Sequence, residues 1–427
     1  MKKIIMGACL SLILTNMGSS AALAENQYDE KTKVIASSAK YNKAQQIIRD
    51  SEKDGIKAMI ELTEIPSPPF KEENRAKRVL EMLQEAGADS VRVDEVGNVI
   101  ATRKGTIGKK VIAIGAHMDT VFPEGTDVKV KKVGDTYYAP GISDNTRGIV
   151  NMIMALQAME KANIETEADL LFIGTVGEEG LGDLRGVKHL FRDNGPQIDS
   201  FIAIDGGTRN RLVFGGIGSV RYKVTFKGPG GHSWGKFGEA NPHHAMGRAI
   251  NNFVNAAPMV TSIGPKTSYN VGRMGGGTSV NSIPFESWME VDMRSESKKK
   301  LNEIEKVFLD AVEQALAEEN AAKLRGEGIA VDVKRIGLRP VARQSENNAI
   351  VQRAMSAIKT VGWAPKLTVS STDSNIPISK NIPAVTLSRG GEGSGAHSLK
   401  EWWKDVETGK SVEIVLLLTL AEAGMAH

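Results

Sequence analysis

At 427 residues the chain is long enough for one large domain or two. Charged residues make up 25% and hydrophobic ones 41%, globular values that exclude an extended disordered chain and a multi-pass membrane protein. The formal net charge is +3, falling to +1 without Lys2 and Lys3 of the acid-free first 24 residues, so nothing in it points to nucleic acid or to a charged membrane surface.

The first 24 residues read as a signal peptide. Lys2-Lys3 form a basic start, Ile4 to Met17 an apolar core, and Ala22-Leu23-Ala24 the small-x-small pattern before Glu25. The core is too short to span a membrane. Lipidation at Cys9 is the weaker reading, because Cys9 precedes the apolar core instead of following it. Cys9 is the only cysteine, so the mature chain carries no disulfide and depends on core burial and metal. These features predict an exported bacterial protein, periplasmic or secreted, with no stable membrane association after cleavage.

Glu25 to about Tyr41 reads as polar and loose, and a helical pattern then runs through Ile47, Ile56, Met59 and Leu62 to the breaker Pro66-Ser67-Pro68-Pro69. A second helix is expected from about Glu72 to Ala86, with Gly87 past its end. Val91–Val93 and Val99–Ala101 flank a hairpin-like turn. Val111 to Gly115 is a continuous apolar run, the pattern of a strand buried on both faces, and it ends in His117-Met118-Asp119. Alternate residues of an extended chain point the same way, so His117 and Asp119 emerge together. Gly141-Ile142-Ser143-Asp144-Asn145 then precedes a helix from Ile149 to about Lys161, with Asp144 at the expected N-cap. Leu170–Thr175 and Phe201–Ile204 are further buried strands, running into Glu178-Glu179 and into Asp205. Strands alternating with helices indicate βαβ units and a mostly parallel sheet with helices on both faces. Ligands bind at the carboxyl edge of such a sheet.

Around Gly216 the texture changes. Val220, Tyr222, Val224 and Phe226 alternate with other residues in the period of a half-solvated antiparallel strand. Gly231-His232-Ser233, a helix from about Pro242 to Asn255, a strand over Ser268–Met274, the strand Trp288-Glu290-Asp292-Arg294, a helix from about Lys298 to Leu324 and a strand over Ile329–Ile336 follow. This β-α-β-β-α-β order predicts a smaller α+β insert, residues 218–337, between two parts of a catalytic domain, 25–217 and 338–427. A last core strand, Ala384–Leu387, leads to Gly395-Ala396-His397-Ser398.

The strand-edge groups are thus His117, Asp119, Asp144, Glu178, Glu179, Asp205 and His397. Two histidines and three carboxylates can hold two metals, one carboxylate bridging. Asp119 and one glutamate are then left over. Asp119 is placed to hold the His117 imidazole in one tautomer, and an unbound glutamate can move the proton of an activated water. His189, in a predicted helix, and His243-His244, at a helix start, read as structural. The polar run Ser371-Thr372-Asp373-Ser374-Asn375 reads as a possible wall of the substrate pocket, and no G-x-S-x-G elbow supports a serine nucleophile there.

The motifs H-M-D, G-I-S-D-N, G-E-E-G, I-D-G-G and G-A-H-S resemble those of the dizinc metallopeptidases, metallopeptidase family 20, which include tripeptidase T, carboxypeptidase G, dinuclear dipeptidases, acetylornithine deacetylase and aminoacylase. The resemblance covers nearly all the chain from about Gly55. It implies two zinc ions, with cobalt or manganese as substitutes. It implies His117, Asp144 (bridging), Glu179, Asp205 and His397 as ligands, Glu178 as general base and Asp119 as the residue orienting His117. It also implies that the insert is a dimerisation domain, giving a homodimer. Within it, His232 matches the histidine that reaches the partner subunit's site, and Asn281 and Arg294 match positions that grip a substrate carboxylate. In the resembled family, Asp at the Asp205 position tends to mark aminopeptidases and di- or tripeptidases, and Glu marks carboxypeptidases and deacylases. The expectation is therefore an exopeptidase of aminopeptidase or di-/tripeptidase type acting on short peptides. The alternative is a carboxypeptidase or N-acyl-amino-acid deacylase. A non-catalytic periplasmic binding protein would show a broken ligand set or a missing base, and the sequence shows neither.

Overall fold

The computed structural model describes residues 27–207 and 209–426; the expected signal peptide and Cys9 lie outside them. The chain divides into two compact units. One comprises the described residues up to Gly215, then Arg343–Thr368 and the chain from Thr372 on; the other is Gly216–Ala342 with Val369–Ser371.

The first unit is built on an eight-stranded sheet. Its strands are β1 (Ser90–Val93), β2 (Val99–Arg103), β3 (Val111–His117), β6 (Asp169–Thr175), β7 (Ser200–Ile204), β8 (Arg211–Gly216), β15 (Lys366–Ser370) and β16 (Ala384–Leu387), in the order β1-β2-β6-β3-β7-β16-β8-β15. The short β4 (Lys131–Val133), β5 (Thr136–Tyr138), β17 (Glu392–Ser394) and β18 (Trp402–Lys404) form a separate small sheet. The expected parallel arrangement holds for the four central strands: β3 pairs in parallel with β6 and β7, and β16 with β7. These are the continuous apolar runs of the sequence, buried on both faces. The flanking β2 and β8 pair antiparallel with β6 and β16. The expected hairpin forms with Val93 opposite Val99, its turn closed by the Asp94 carboxylate, which accepts the Val96 and Asn98 amides at 3.1 and 2.9 Å.

On one face Ile112, Ile114, Leu170, Phe172, Ile202 and Leu387 merge with helices α1 (Ala39–Asp50), α2 (Glu52–Thr63), α3 (Glu73–Glu85), α4 (Thr146–Ala162), α9 (Ala349–Thr360) and α11 (Thr408–Ala423) into one core. Each such side chain contributes about 1.5–3 kcal/mol when fully buried. Helix α11 is apolar on all sides because it is covered on all sides, by α1, α4, α9 and β3 among others. On the other face Phe191, which follows α5 (Arg185–Leu190), packs edge-on against Phe201. Gly115 of β3 makes room there, since a Cβ on it would sit 2.7 Å from the Phe201 ring. No helix among the described residues is long and apolar enough to cross a membrane.

Two expectations need correction. The stretch read as loose is helical over residues 27–37 and again in α1. The buried residues of α1 are Tyr41, Ala44 and Ile48, and the helix packs on α4. The helix expected to run unbroken to Leu62 is interrupted at Ser51, whose hydroxyl donates back to the Ile47 carbonyl at 2.7 Å.

The second unit contains β9 (Gly218–Lys227), β10 (Gly231–His232), α6 (Pro242–Ala256), α7 (Pro258–Thr261), β11 (Thr267–Gly276), β12 (Ser282–Ile283), β13 (Glu286–Ser295), α8 (Lys298–Ala322) and β14 (Ala330–Arg339). Four of them form an antiparallel sheet in the order β11-β13-β9-β14. The alternation read in the sequence is real. Val220, Tyr222, Val224 and Phe226 of β9, with Met289, Val291 and Met293 of β13, face a core shared with α6 and α8. The short helix α10 (Asn375–Ser379) belongs to the first unit.

Candidate metal centre

The central strand order places four carboxyl ends side by side. His117 is the last residue of β3, Glu178 and Glu179 follow β6, Asp205 follows β7, and Arg389 follows β16. Asp144 enters from the loop before α4, and His397 from the loop between β17 and β18. The helix N-cap is Asn145 rather than the expected Asp144. The Asn145 amide donates to the Ile204 carbonyl at 2.8 Å, which ties the loop to β7 and leaves the Asp144 carboxylate to the site.

His117 Nε2 lies 3.3 Å from Asp144 Oδ1 and 3.8 Å from Asp205 Oδ1. The other oxygen of Asp144, Oδ2, is 3.4 Å from His397 Nε2, which in turn is 2.8 Å from Glu179 Oε1. Asp144 therefore stands between two imidazoles, one oxygen toward each. Of the four sets of described residues whose ligand atoms are close enough to share one ion, three lie here: His117 with Asp144 and Asp205, Asp144 with Glu179 and His397, and His117 with Glu178 and Glu179; the fourth is Asp94, Glu95 and His189. His117 Nε2 and Asp144 Oδ1 are buried and make no hydrogen bond. Buried polar atoms that converge without bonding to one another need a further partner. Imidazole nitrogens and carboxylate oxygens suit zinc, cobalt or manganese, so the residues present fit a two-metal centre.

Charge accounts for the protonation pattern. Burial opposes a charged His117, but Asp119, Asp144 and Asp205 together outweigh it and raise its pKa well above the usual imidazole range. Burial likewise opposes ionisation of Asp144, yet Arg389, His117 and His397 hold it well below the usual carboxylate range. Asp144 and Glu179 push His397 up to about 10.

Asp119 works somewhat differently from the expectation. The closer contact to His117 Nδ1 is the Asp119 backbone carbonyl, at 3.0 Å, with its carboxylate at 3.6 Å. That carboxylate accepts the backbone amides of Glu178 at 2.9 Å and Glu179 at 2.7 Å, so it also sets the two glutamates in place. The buried Arg75 fixes the same strand end through the Met118 and Ile65 carbonyls, at 2.8 and 2.7 Å.

Three residues escaped sequence reading as parts of the centre. The buried Glu401 carboxylate accepts the amides of Gly141, Ser143 and Asp144, at 2.8, 2.9 and 2.9 Å. It ties the Asp144 loop to the segment that carries His397; an acid four residues after a ligand histidine was the available signal. Arg389 Nη1 lies 2.9 Å from Asp144 Oδ1 and 3.6 Å from Asp205 Oδ1. Asp373, pushed up to about 6 by burial, accepts the Thr175 hydroxyl at 2.6 Å just behind β6. His189, expected to be structural, lies 2.8 Å from Glu95.

The remaining expected residues lie in the second unit. The short pairing of β10 with β12 sets His232 opposite Ser282, beside Asn281. His232 Nδ1 accepts the Trp234 amide at 3.2 Å, and the Asn281 carbonyl accepts the Ser233 amide at 2.9 Å. Arg294 lies near the far end of β13, with its Nε donating to Asp292 at 2.7 Å.

Residues 113–421 match the family described as peptidase family M20/M25/M40. The uncharacterized protein YqjE of Bacillus subtilis is 25% identical over 389 residues, covering 86% of this chain and 98% of YqjE. Succinyl-diaminopimelate desuccinylase of Corynebacterium glutamicum is 24% identical over 247 residues, covering 57% of this chain and 66% of that protein. The crystal structure of aminopeptidase PepT from Bacillus cereus shares the fold, with a TM-score of 0.65 and 23% identity over 86% of this chain and 97% of that one.

Proposed function

The chain belongs to peptidase family M20/M25/M40, and on that premise we propose that it is a zinc-dependent exopeptidase that hydrolyses short peptides bearing a free amino terminus. The hydrolase class comes with the family. The observation that carries the site is Asp144 standing between His117 and His397, with Asp205 and Glu179 closing the two sides. His117, Asp144 and Asp205 would hold one metal, and Asp144, Glu179 and His397 the other. Bound there, two divalent ions supply Lewis-acid polarisation of the scissile carbonyl and acidify a water molecule.

The chain's own groups do the rest. Glu178 is buried beside His117 and Glu179, where its carboxylate takes the proton of the attacking water and returns it to the leaving amine. Asp119 holds the backbone of both glutamates and, through its carbonyl, the tautomer of His117. Asp205, in place of glutamate, supports the aminopeptidase or di-/tripeptidase type. Export through residues 1–24 and dimerisation through the inserted unit belong to the same reading, with His232 and Asn281 serving substrate across the dimer.

A second reading is a carboxypeptidase or N-acyl-amino-acid deacylase. The likeness to a desuccinylase supports it. A panel of free and N-acylated di- and tripeptides, assayed on the mature protein, separates the two. Cleavage of the free peptides is expected, and turnover confined to N-blocked substrates would sink the aminopeptidase reading.

A further inference from the structure

The two candidate metal positions share Asp144 but not their surroundings. Asp144 Oδ1 faces His117 and Asp205, while Oδ2 faces His397 and Glu179. Both recorded ion pairs of Arg389 fall on the first side, on Asp144 Oδ1 and Asp205 Oδ1. Its Nη1 is buried and, like His117 Nε2 and Asp144 Oδ1, makes no hydrogen bond. A guanidinium cannot ligate a metal and cannot shed its proton to make way for one.

The backbone that carries it is also anchored. The Arg389 carbonyl accepts the Asn151 side-chain amide at 2.8 Å. The Ser388 hydroxyl next to it donates to the Gly207 carbonyl at 3.0 Å and accepts the Gly390 amide at 3.1 Å. Gly390 has no space for a side chain, as a Cβ would meet Ser411 Oγ at 2.1 Å. The backbone that aims the guanidinium is thus held on both sides of Arg389. A fixed positive charge within a few ångströms of one cation position, in a buried setting, raises the free energy of a cation there.

We propose that Arg389 makes the two positions unequal, opposing a cation between His117, Asp144 and Asp205 so that the position between Asp144, Glu179 and His397 fills first. In the metal-free protein the same charge offsets the mutual repulsion of the convergent carboxylates. The inference rests on the metal-centre reading but not on the identity of the substrate.

The test is titration of the chelator-stripped full chain with cobalt(II), followed by calorimetry and by visible absorption. The wild type is expected to bind two equivalents with dissociation constants at least ~10-fold apart, about 1.4 kcal/mol. His117→Ala should keep the tight step and lose the weak one, and His397→Ala should do the reverse. Arg389→Met should tighten the weak step at least ~10-fold, about 1.4 kcal/mol, and Arg389→Lys should preserve the gap. Two equal steps in the wild type would overturn the proposal, as would loss of the tight step in His117→Ala. A weak step that is unchanged or weakened in Arg389→Met would do so too. The two histidine variants decide the filling order even if Arg389→Met does not fold. Absence of any cobalt binding would remove the metal centre itself, whereas a failed peptide panel alongside two unequal steps would leave this inference standing.

Discussion

Glu178 is positioned through its backbone: the amide is pinned to Asp119 while the side chain stays beside His117 and Glu179. Changing the carboxylate therefore should not disturb the frame. Glu178→Gln is expected to lower kcat by about 10²–10⁴ at wild-type metal content by elemental analysis; retained turnover would refute its role as the base. Glu401 acts at one remove, holding three amides of the Asp144 loop. Glu401→Ala leaves buried N–H groups unpaired, at about 1–3 kcal/mol each, and should weaken metal binding about 10–100-fold. Glu401→Gln, which keeps an acceptor, should recover part of that loss. His397 sets a pH dependence in the metal-free protein. Its folded pKa is raised to about 10 by Asp144 and Glu179, so the pairing stabilises fully below the ordinary imidazole pKa of about 6.5. That contribution is lost as pH rises through about 10. Melting temperature after chelation should fall across this window, and His397→Ala should flatten the decline.

At the scale of elements, legibility followed burial. Strands β3, β6, β7 and β16 were readable because burial on both faces demands unbroken apolar runs, and their polar ends then stood out. The helix over residues 27–37 was not readable, because it buries little and so asks for few apolar residues. Arg389 and Glu401 stayed hidden for a different reason. Each lies in polar loop sequence, where an anchoring charge looks like a solvated one until its partners are placed around it. The Asp144/Asn145 assignment failed by one residue since both types cap helices, and only the fold shows Asn145 bonded to β7.

Across the whole molecule, the candidate centre gathers His117, Asp144, Glu179, Asp205 and His397 from five separate segments. Ions bound there would crosslink the first unit. Removing them by chelation should abolish hydrolysis and lower the melting temperature by several degrees, at about 2–4 °C per kcal/mol of lost binding free energy. Zinc or cobalt should restore both. Activity in protein shown by elemental analysis to be metal-free would contradict the site.

The place of β16 between β7 and β8 has a kinetic consequence. The strand that completes the parallel core comes after residues 216–342, so β7 must find a partner across a long intervening loop. Closing such a loop from an unfolded insert costs about 4 kcal/mol of chain entropy. The insert lowers that cost by about 1 kcal/mol if it folds first, because its ends meet: Ser219 pairs with Arg339, and Gly216 bridges Ala342. Once β9 and β14 are zipped, the detour is shortened by the length of the insert. On that order of events, the inserted unit's amides should gain protection before those of β7 and β16 in pulse-labelled hydrogen exchange.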